Sequence, residues 1–140
     1  MANLGVTYMT GKNKDLEKSF NYLKQAYELG VKDISFFLGE CYLYGNGTEK
    51  DPEKAIEVLK TAADYVLEYT DFPEDNYQAP LLLGDLYYDG EVVEHDEDEA
   101  AKWYEIAADR DSDEAVEKLI EMGRREKPAK KKGLFGKLFG

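Results

Sequence analysis

The chain is poor in the side chains on which covalent and metal chemistry depend: it has one cysteine and one histidine in 140 residues. A single cysteine excludes an intramolecular disulfide. A single histidine leaves any imidazole base or metal site resting on His95 alone. No apolar run reaches the roughly 18 residues that a membrane span needs, and no stretch of signal-peptide type follows Met1. A cytoplasmic location is therefore the expectation. Cations are the scarcer charge, 18 Lys and Arg against 30 Asp and Glu, for a net charge of −12. That balance argues against wholesale nucleic-acid binding, which needs a basic face, so no nucleic-acid partner is expected. The length suits one domain and one continuous core.

What the chain does have is helical patterning. With Leu83 at zero and about 100° per residue, Ala79, Leu83, Leu86 and Tyr87 fall in one arc, the apolar stripe of an amphipathic helix. Gly84 lies at the edge of that arc, where a missing side chain lets a second helix approach. Asp89-Gly90 breaks the pattern. Asp96 is a candidate cap for the next helix, with Glu99 as its capping-box partner. Ala100, Trp103, Tyr104, Ala107 and Ala108 form the facing stripe, small residues beside large aromatics.

The unit recurs upstream. Leu38-Gly39, Tyr42, Gly45, Asp51, Ala55, Val58-Leu59 and Ala62-Ala63 repeat it at the same offsets. Leu4-Gly5, Tyr8, Gly11, Asp15, Ser19, Tyr22-Leu23 and Ala26-Tyr27 repeat it again, with a turn two residues shorter. The spacing is 34 residues from Gly5 to Gly39 and 45 from Gly39 to Gly84. A helix pair recurring at such intervals is the mark of an α-solenoid.

These residues resemble the Sel-one-like repeat family, relatives of the tetratricopeptide repeats. Gly45-Asn46-Gly47 carries that family's turn best, and Ala79 through Leu83-Gly84 to Ala107-Ala108 carries its helices best. Asn13 and Val92 depart from the second turn glycine, and Ser19 from an alanine. The resemblance covers about residues 2–122 and implies an all-α, right-handed αα superhelix of about three helix pairs plus a C-terminal capping helix. It also implies a protein-interaction scaffold. Some secreted members of the family are disulfide-rich, and this chain cannot be one of them. The expected division is a repeat domain over 1–127 and a basic, glycine-rich tail over 128–140. Within the domain, repeats are placed at about 1–30, 31–75 and 76–110, with the capping helix over 111–127.

In chain order, a short helix is expected over 2–10 and its partner over 15–29, stopped by Gly30. The next pair is read as 33–44 and a helix begun by Asp51-Pro52. That second helix is extended past Ala63 as far as Glu68, because Tyr65, Val66 and Tyr69 continue its apolar face. A polar insertion, 70–76, follows. Asn76 is then the expected cap of the third A-type helix, with Pro80 inside its first turn. The final helix, carrying Ala115, Leu119 and Met122, is expected to end at Pro128.

No catalytic constellation is visible; no enzymatic activity, metal site or cofactor is expected. His95 lies among acidic residues, readable as a cation loop or as a solvated turn, and the absence of EF-hand spacing favours the turn. Cys41 falls on the core arc of its helix, as a buried small hydrophobe does. Gly45-Asn46-Gly47-Thr48 lacks the P-loop lysine and the preceding strand. Asp51 and Asp96 are explained by capping.

The candidate site is the far face of the A-type helices. Leu81, Asp85 and Tyr88 stand at about 160°, 200° and 140° from the core arc. Phe36, Glu40 and Leu43 take those angles in the second repeat, and Ala2, Val6 and Met9 in the first. Stacking aligns them into an apolar, aromatic stripe with acidic punctuation, either buried between repeats or exposed as a partner groove. The resemblance favours the groove, since A-type helices line the concave surface in those families. Phe36, Leu43, Leu81 and Tyr88 should then be more exposed than Leu38, Tyr42, Leu83 and Tyr87.

The charge is uneven. Residues 124–140 carry a net +6, leaving −18 on the remainder. Leu134, Phe135, Leu138 and Phe139 pair at i, i+4 spacing behind a lysine cluster, the look of a short docking motif and not of filler. Its candidate covers are the groove of its own or a neighbouring chain, which implies self-association, and an anionic membrane. The expected function is a non-enzymatic adaptor holding a basic, apolar peptide or protein in the groove. The alternatives are a membrane-recruited regulator anchored by the tail, or an immunity-type protein that neutralises a partner.

Overall fold

The computed structural model describes residues 11–127. Six α-helices run through them in the order α1 Gly11–Glu28, α2 Ser35–Tyr44, α3 Pro52–Asp64, α4 Glu74–Asp89, α5 Glu97–Asp109 and α6 Asp113–Glu121, with no strand among the described residues. The all-α repeat architecture read from the sequence is the one found. The helix expected over 2–10 and the tail lie outside the described residues.

Successive helices pack on one another, most extensively α4 on α5 and α2 on α3. The reason is the same in both pairs. A Cβ placed on Gly84 would stand 2.6 Å from the Tyr104 ring, and one on Gly39 would stand 2.6 Å from Leu59. The missing side chain admits a large neighbour, and Leu38, Leu59, Leu83 and Tyr104 are fully buried as a result. The turns between paired helices also match. The Asp51 N–H donates to the Tyr42 carbonyl at 2.8 Å, and the Asp96 N–H to the Tyr87 carbonyl at 2.9 Å. Asp51 and Asp96 cap as expected, accepting from the amides of Lys54 and Glu99. Only half of the expected capping box forms. Because Tyr87 already takes the Asp96 amide, the Glu99 carboxylate accepts from Trp103 Nε1 at 3.2 Å instead.

Several boundaries differ from the sequence reading. α1 begins at Gly11, four residues before Asp15, while Gly30 stops it in the left-handed region as expected. α3 ends at Asp64 and does not reach Glu68. The apolar face that suggested continuation meets no core: Tyr65, Val66 and Tyr69 are exposed. The chain instead turns extended at Tyr65, and the Asn76 side-chain amide grips Leu67 by its N–H at 2.7 Å and its carbonyl at 3.2 Å. Asn76 is therefore not a helix cap, and α4 starts two residues earlier, at Glu74. α6 stops at Glu121, well before Pro128, where Gly123 turns left-handed and the Arg124 amide returns to the Leu119 carbonyl.

The early start of α4 places Pro80 inside the helix, not in its first turn. Proline has no N–H, so the carbonyl four residues back loses its helical donor. That carbonyl belongs to Asn76, and Arg110 Nη1 supplies the replacement at 3.0 Å while also donating to the Ala63 carbonyl at the end of α3 at 2.7 Å. One guanidinium thus satisfies a helix end and a proline-orphaned carbonyl.

Two outcomes test this packing. Gly84→Leu is expected to shift the denaturation midpoint by more than the roughly 1–3 kcal/mol usual for overpacking; an unchanged midpoint would show that the crossing is not tight. Arg110→Met is expected to cost about 1.5–3 kcal/mol, the scale of a hydrogen bond from a charged donor. In a Pro80→Ala background the restored N–H serves the Asn76 carbonyl, so the same change should cost less. Equal costs in a double-mutant cycle would break the link between Pro80 and Arg110.

Candidate functional site

The A-type helices α2 and α4 hold the residues that the pattern singled out. Phe36 and Glu40 are half-buried on α2, and Leu81, Asp85 and Tyr88 are half-buried on α4. Val6 and Met9 lie outside the described residues, as do Leu134, Phe135, Leu138 and Phe139 of the tail. Two orderings do not hold as expected: Leu43 is 6% exposed and Tyr42 8%, so Leu43 is no more open than its core neighbour, and Tyr87 is half-buried like Tyr88. Leu43 joins the same core cluster as Leu38, Leu59 and Leu86. Leu81 and Tyr88 lean on the second cluster, which contains Leu119 of α6, so the last helix covers part of the stripe.

Two residues that the pattern missed are the open ones. Phe37 and Tyr44 are 50% and 52% exposed. At about 100° per residue they stand near 260° and 240° from Leu38, on the flank of the expected stripe beyond Glu40. The accessible face is thus rotated away from Leu43 and toward Tyr44. The signal was in the sequence, since two aromatics seven residues apart share a helix face, but the burial of Leu43 that makes the rotation is tertiary. Phe36 and Phe37 pack edge to face with ring centres 5.7 Å apart.

Charge on this face is acidic and poorly hydrated. Burial pushes the Glu40 carboxyl above its ordinary range. Burial does the same to Asp85, opposed by the Tyr104 hydroxyl, which donates to Asp85 Oδ1 at 2.6 Å, and by the charge of Lys118. Tyr104 is pushed up in turn, first by burial and then by that bond. Glu40 has no such hydroxyl opposite it, because Leu59 occupies in its repeat the place of Tyr104. The Tyr44 phenol is raised by burial, then by Glu40 and by Asp85, so carboxylates from two successive repeats bear on one half-exposed ring. At the α4 end a cation is already present, with Lys118 Nζ 5.8 Å from the centre of the Tyr88 ring.

The other candidates resolve as structure. Cys41 is buried in the core, and burial raises its thiol above the ordinary range, which makes it inert. His95 is more than a solvated residue of the acidic turn: its Nδ1 donates to the Tyr88 carbonyl at 2.6 Å, and its Cβ lies against Gly90, closing the end of α4. Among the described residues no group of three or more His, Cys, Asp or Glu is set to hold a metal ion. No helix among them is long and apolar enough to cross a membrane.

Comparison with known proteins agrees with this architecture. The family model of the Sel1 repeat matches residues 1–31, 35–64 and 80–112. Among solved structures, a Sel1 repeat protein from Oxalobacter formigenes superposes with a TM-score of 0.62 at 26% identity, over 79% of this chain and 42% of its own. A protective antigen of uropathogenic Escherichia coli strains, described as displaying an SLR fold, superposes at 0.60 with 31% identity, over 74% of this chain and 20% of its own. Cysteine rich protein B of Helicobacter pylori does so at 0.57 with 25% identity, over 81% of this chain and 92% of its own. The chain therefore spans less than half the length of the first two and most of the third. Three matched repeats, the recurring glycine crossings and these superpositions together show that the chain belongs to the Sel1 repeat family, whose members are generally protein-interaction scaffolds.

Proposed function

We propose that this chain is a non-enzymatic adaptor that holds a basic, apolar peptide segment against α2 and α4, in the cytoplasm. The observation that carries the reading is the exposed aromatic surface of Phe37 and Tyr44 on the helix that bears half-buried Glu40, with Asp85 in the matching position of the next repeat. Two desolvated carboxylates from neighbouring repeats beside exposed aromatic surface form a site that a Lys or Arg side chain improves, since a cation restores the interactions that burial removed. Phe36, Phe37 and Tyr44 supply the apolar contact that anchors such a segment. Leu81 and Tyr88 line the α4 end, where Lys118 already neutralises part of the acidic charge, so the partner's cation belongs at the α2 end. Leu43 contributes from beneath, as support. Val6 and Met9 extend the same stripe in the sequence pattern.

A peptide array graded in Lys/Arg and aromatic content tests this. Basic, apolar sequences are the expected binders, and Tyr44→Ser together with Phe37→Ser should abolish their signal while changing stability little, because both side chains are half in solvent. Capture of acidic peptides, or undiminished binding by the double variant, would reject the site.

Glu40→Gln separates binding from stability. The folded state raises the Glu40 pKa, so it holds a proton at pH values where the unfolded chain has released it. This group's contribution to stability is greatest below the ordinary glutamate range and falls as pH rises through the raised value. Glu40→Gln should therefore make the free protein more stable at neutral pH, while weakening a basic peptide about tenfold, or about 1.4 kcal/mol. Peptide affinity should also rise with pH through the raised carboxylate pKa values in the wild type, and less so in the variant. Asp85 gives the contrast. Asp85→Asn keeps an acceptor for the Tyr104 hydroxyl, whereas Asp85→Ala leaves a buried donor unpaired and should cost about 1–3 kcal/mol. Equal midpoints for Asp85→Asn and Asp85→Ala would mean that the Tyr104 bond contributes nothing.

A further inference from the structure

Most of the exposed large apolar side chains are not on the groove. Among the described residues, six of the nine exposed large apolar side chains lie on two connections, 29–34 and 65–73: Leu29, Val31, Tyr65, Val66, Tyr69 and Phe72. Both connections follow a B-type helix, so both lie on the same edge of the stack. They adjoin each other: Lys32 and Tyr65 line one cavity of about 200 Å³ with Thr61 and Asp64, and the Tyr27 hydroxyl lies 3.0 Å from Thr61 Oγ1.

The longer connection is held in shape while presenting its apolar side chains outward. Asn76 grips Leu67. Thr70 donates to Asp75 at 2.5 Å and accepts from the Phe72 amide at 3.1 Å. Tyr69 nevertheless stands 94% exposed and Phe72 61%. Ordered apolar surface of this kind usually marks an interface. It is also acidic: residues 64–75 carry Asp64, Glu68, Asp71, Glu74 and Asp75 and no Lys or Arg. Of the nearby cations, Arg110 is turned inward to the Ala63 and Asn76 carbonyls, and Lys32, on the shorter connection, stands at the cavity it lines with Asp64.

We infer that this edge is a docking surface for the chain's own segment 128–140, held in cis. The inference goes beyond the groove and does not depend on it. The chemistry is complementary: the segment brings Lys130, Lys131, Lys132 and Lys137 to a surface with five carboxylates, and Leu134, Phe135, Leu138 and Phe139 to one that exposes Tyr69, Phe72 and Val66. The place where the described chain ends permits it. Arg125 Nη2 donates to Glu105 Oε1 at 2.6 Å, which ties the chain at Arg125 to α5. From Glu105 to Arg110 is five residues, about 7.5 Å of helix, and Arg110 touches the base of the insertion. With the side chains included, the gap is on the order of 20 Å, against a reach of about 30 Å for the nine residues from Arg125 to Leu134 when extended. The groove is the poorer cover, since Leu43 is buried and Lys118 lies over Tyr88.

Amide chemical shifts of the full chain, compared with those of a variant carrying Leu134→Ser, Phe135→Ser, Leu138→Ser and Phe139→Ser, test the assignment. Differences concentrated at 29–33 and 64–76 are expected. In the reciprocal arm, Tyr69→Ser with Phe72→Ser, on two exposed positions, should let trypsin cut after Lys130–Lys132 about tenfold faster, as cleavage follows the released population. Differences centred on 36–44 and 85–88, or none in either arm, would overturn the proposal. Shift differences that grow with protein concentration would assign the surface to a second copy's segment and overturn the cis arrangement. Sedimentation of the full chain with phosphatidylserine vesicles, unaccompanied by any shift difference at the edge, would give the segment to a membrane and equally overturn it.

Discussion

The distance at which paired helices meet governs much else in this structure. Gly39 and Gly84 bring each A-type helix so close to its partner that whatever stands opposite is decisive. Opposite Gly84 stands Tyr104, whose ring fills the crossing and whose hydroxyl passes through it to reach Asp85. Opposite Gly39 stands Leu59, which fills the same space and offers no donor. A choice made for packing on the B-type helix thereby decides the state of a carboxylate on the opposite side of the A-type helix. Asp85 is half-buried but partnered, whereas Glu40 is half-buried with no such donor. The electrostatics of the candidate groove are thus written in the core beneath it.

The two kinds of connection obey different rules. Links from an A-type to a B-type helix are closed by the same bonds in both fully described repeats, an aspartate cap and an amide returned to the tyrosine carbonyl nine residues earlier. Nothing can be inserted there without losing the cap or the return bond. Links from a B-type helix to the next A-type helix share no common closure: Ser112 caps the last one and returns its amide to the Ala107 carbonyl, whereas Asn76 in the second holds Leu67 instead. They run as 29–34 in one place, as the long 65–73 in another, and as Arg110–Ser112 in the third. Variation collects at that edge because the core does not constrain it, which is the ordinary division between scaffold and loop.

The fold was legible because the repeat states itself three times. Gly39 and Gly84, the Asp51 and Asp96 caps, and the alternation of small and aromatic residues each point to the same paired-helix unit. What misled was local evidence without tertiary arbitration. Tyr65, Val66 and Tyr69 continue a helical period, yet the period has no surface to meet, so α3 stops. Asn76 has the character of a cap but spends its amide on the Leu67 peptide. Pro80 was assigned to a first turn because a proline deeper in a helix needs an outside donor, and nothing in the local sequence announces that Arg110, thirty residues on, provides it. On the candidate site, the position of Glu40 and Asp85 on the A-type helices was readable from periodicity. The closure of Leu43 and the opening of Phe37 and Tyr44 depend on how one repeat leans on the next, which a helical wheel does not contain.

Repeat arrays are commonly described by nearest-neighbour coupling, in which each unit is stabilised by the interface it shares with the next. A long insertion between two units ought to loosen that coupling, because the linker no longer fixes their mutual position. Arg110 works against this. Leaving the end of α5, it bonds the last turn of α3 and the early part of α4, and so spans the insertion from its far side. Tied in this way, the second and third repeats should open as one foldon with a decorated seam, not as two units joined by a hinge. The insertion is thereby free to diverge in sequence while the array retains its cooperativity, and whatever binds at that seam binds to a rigid body.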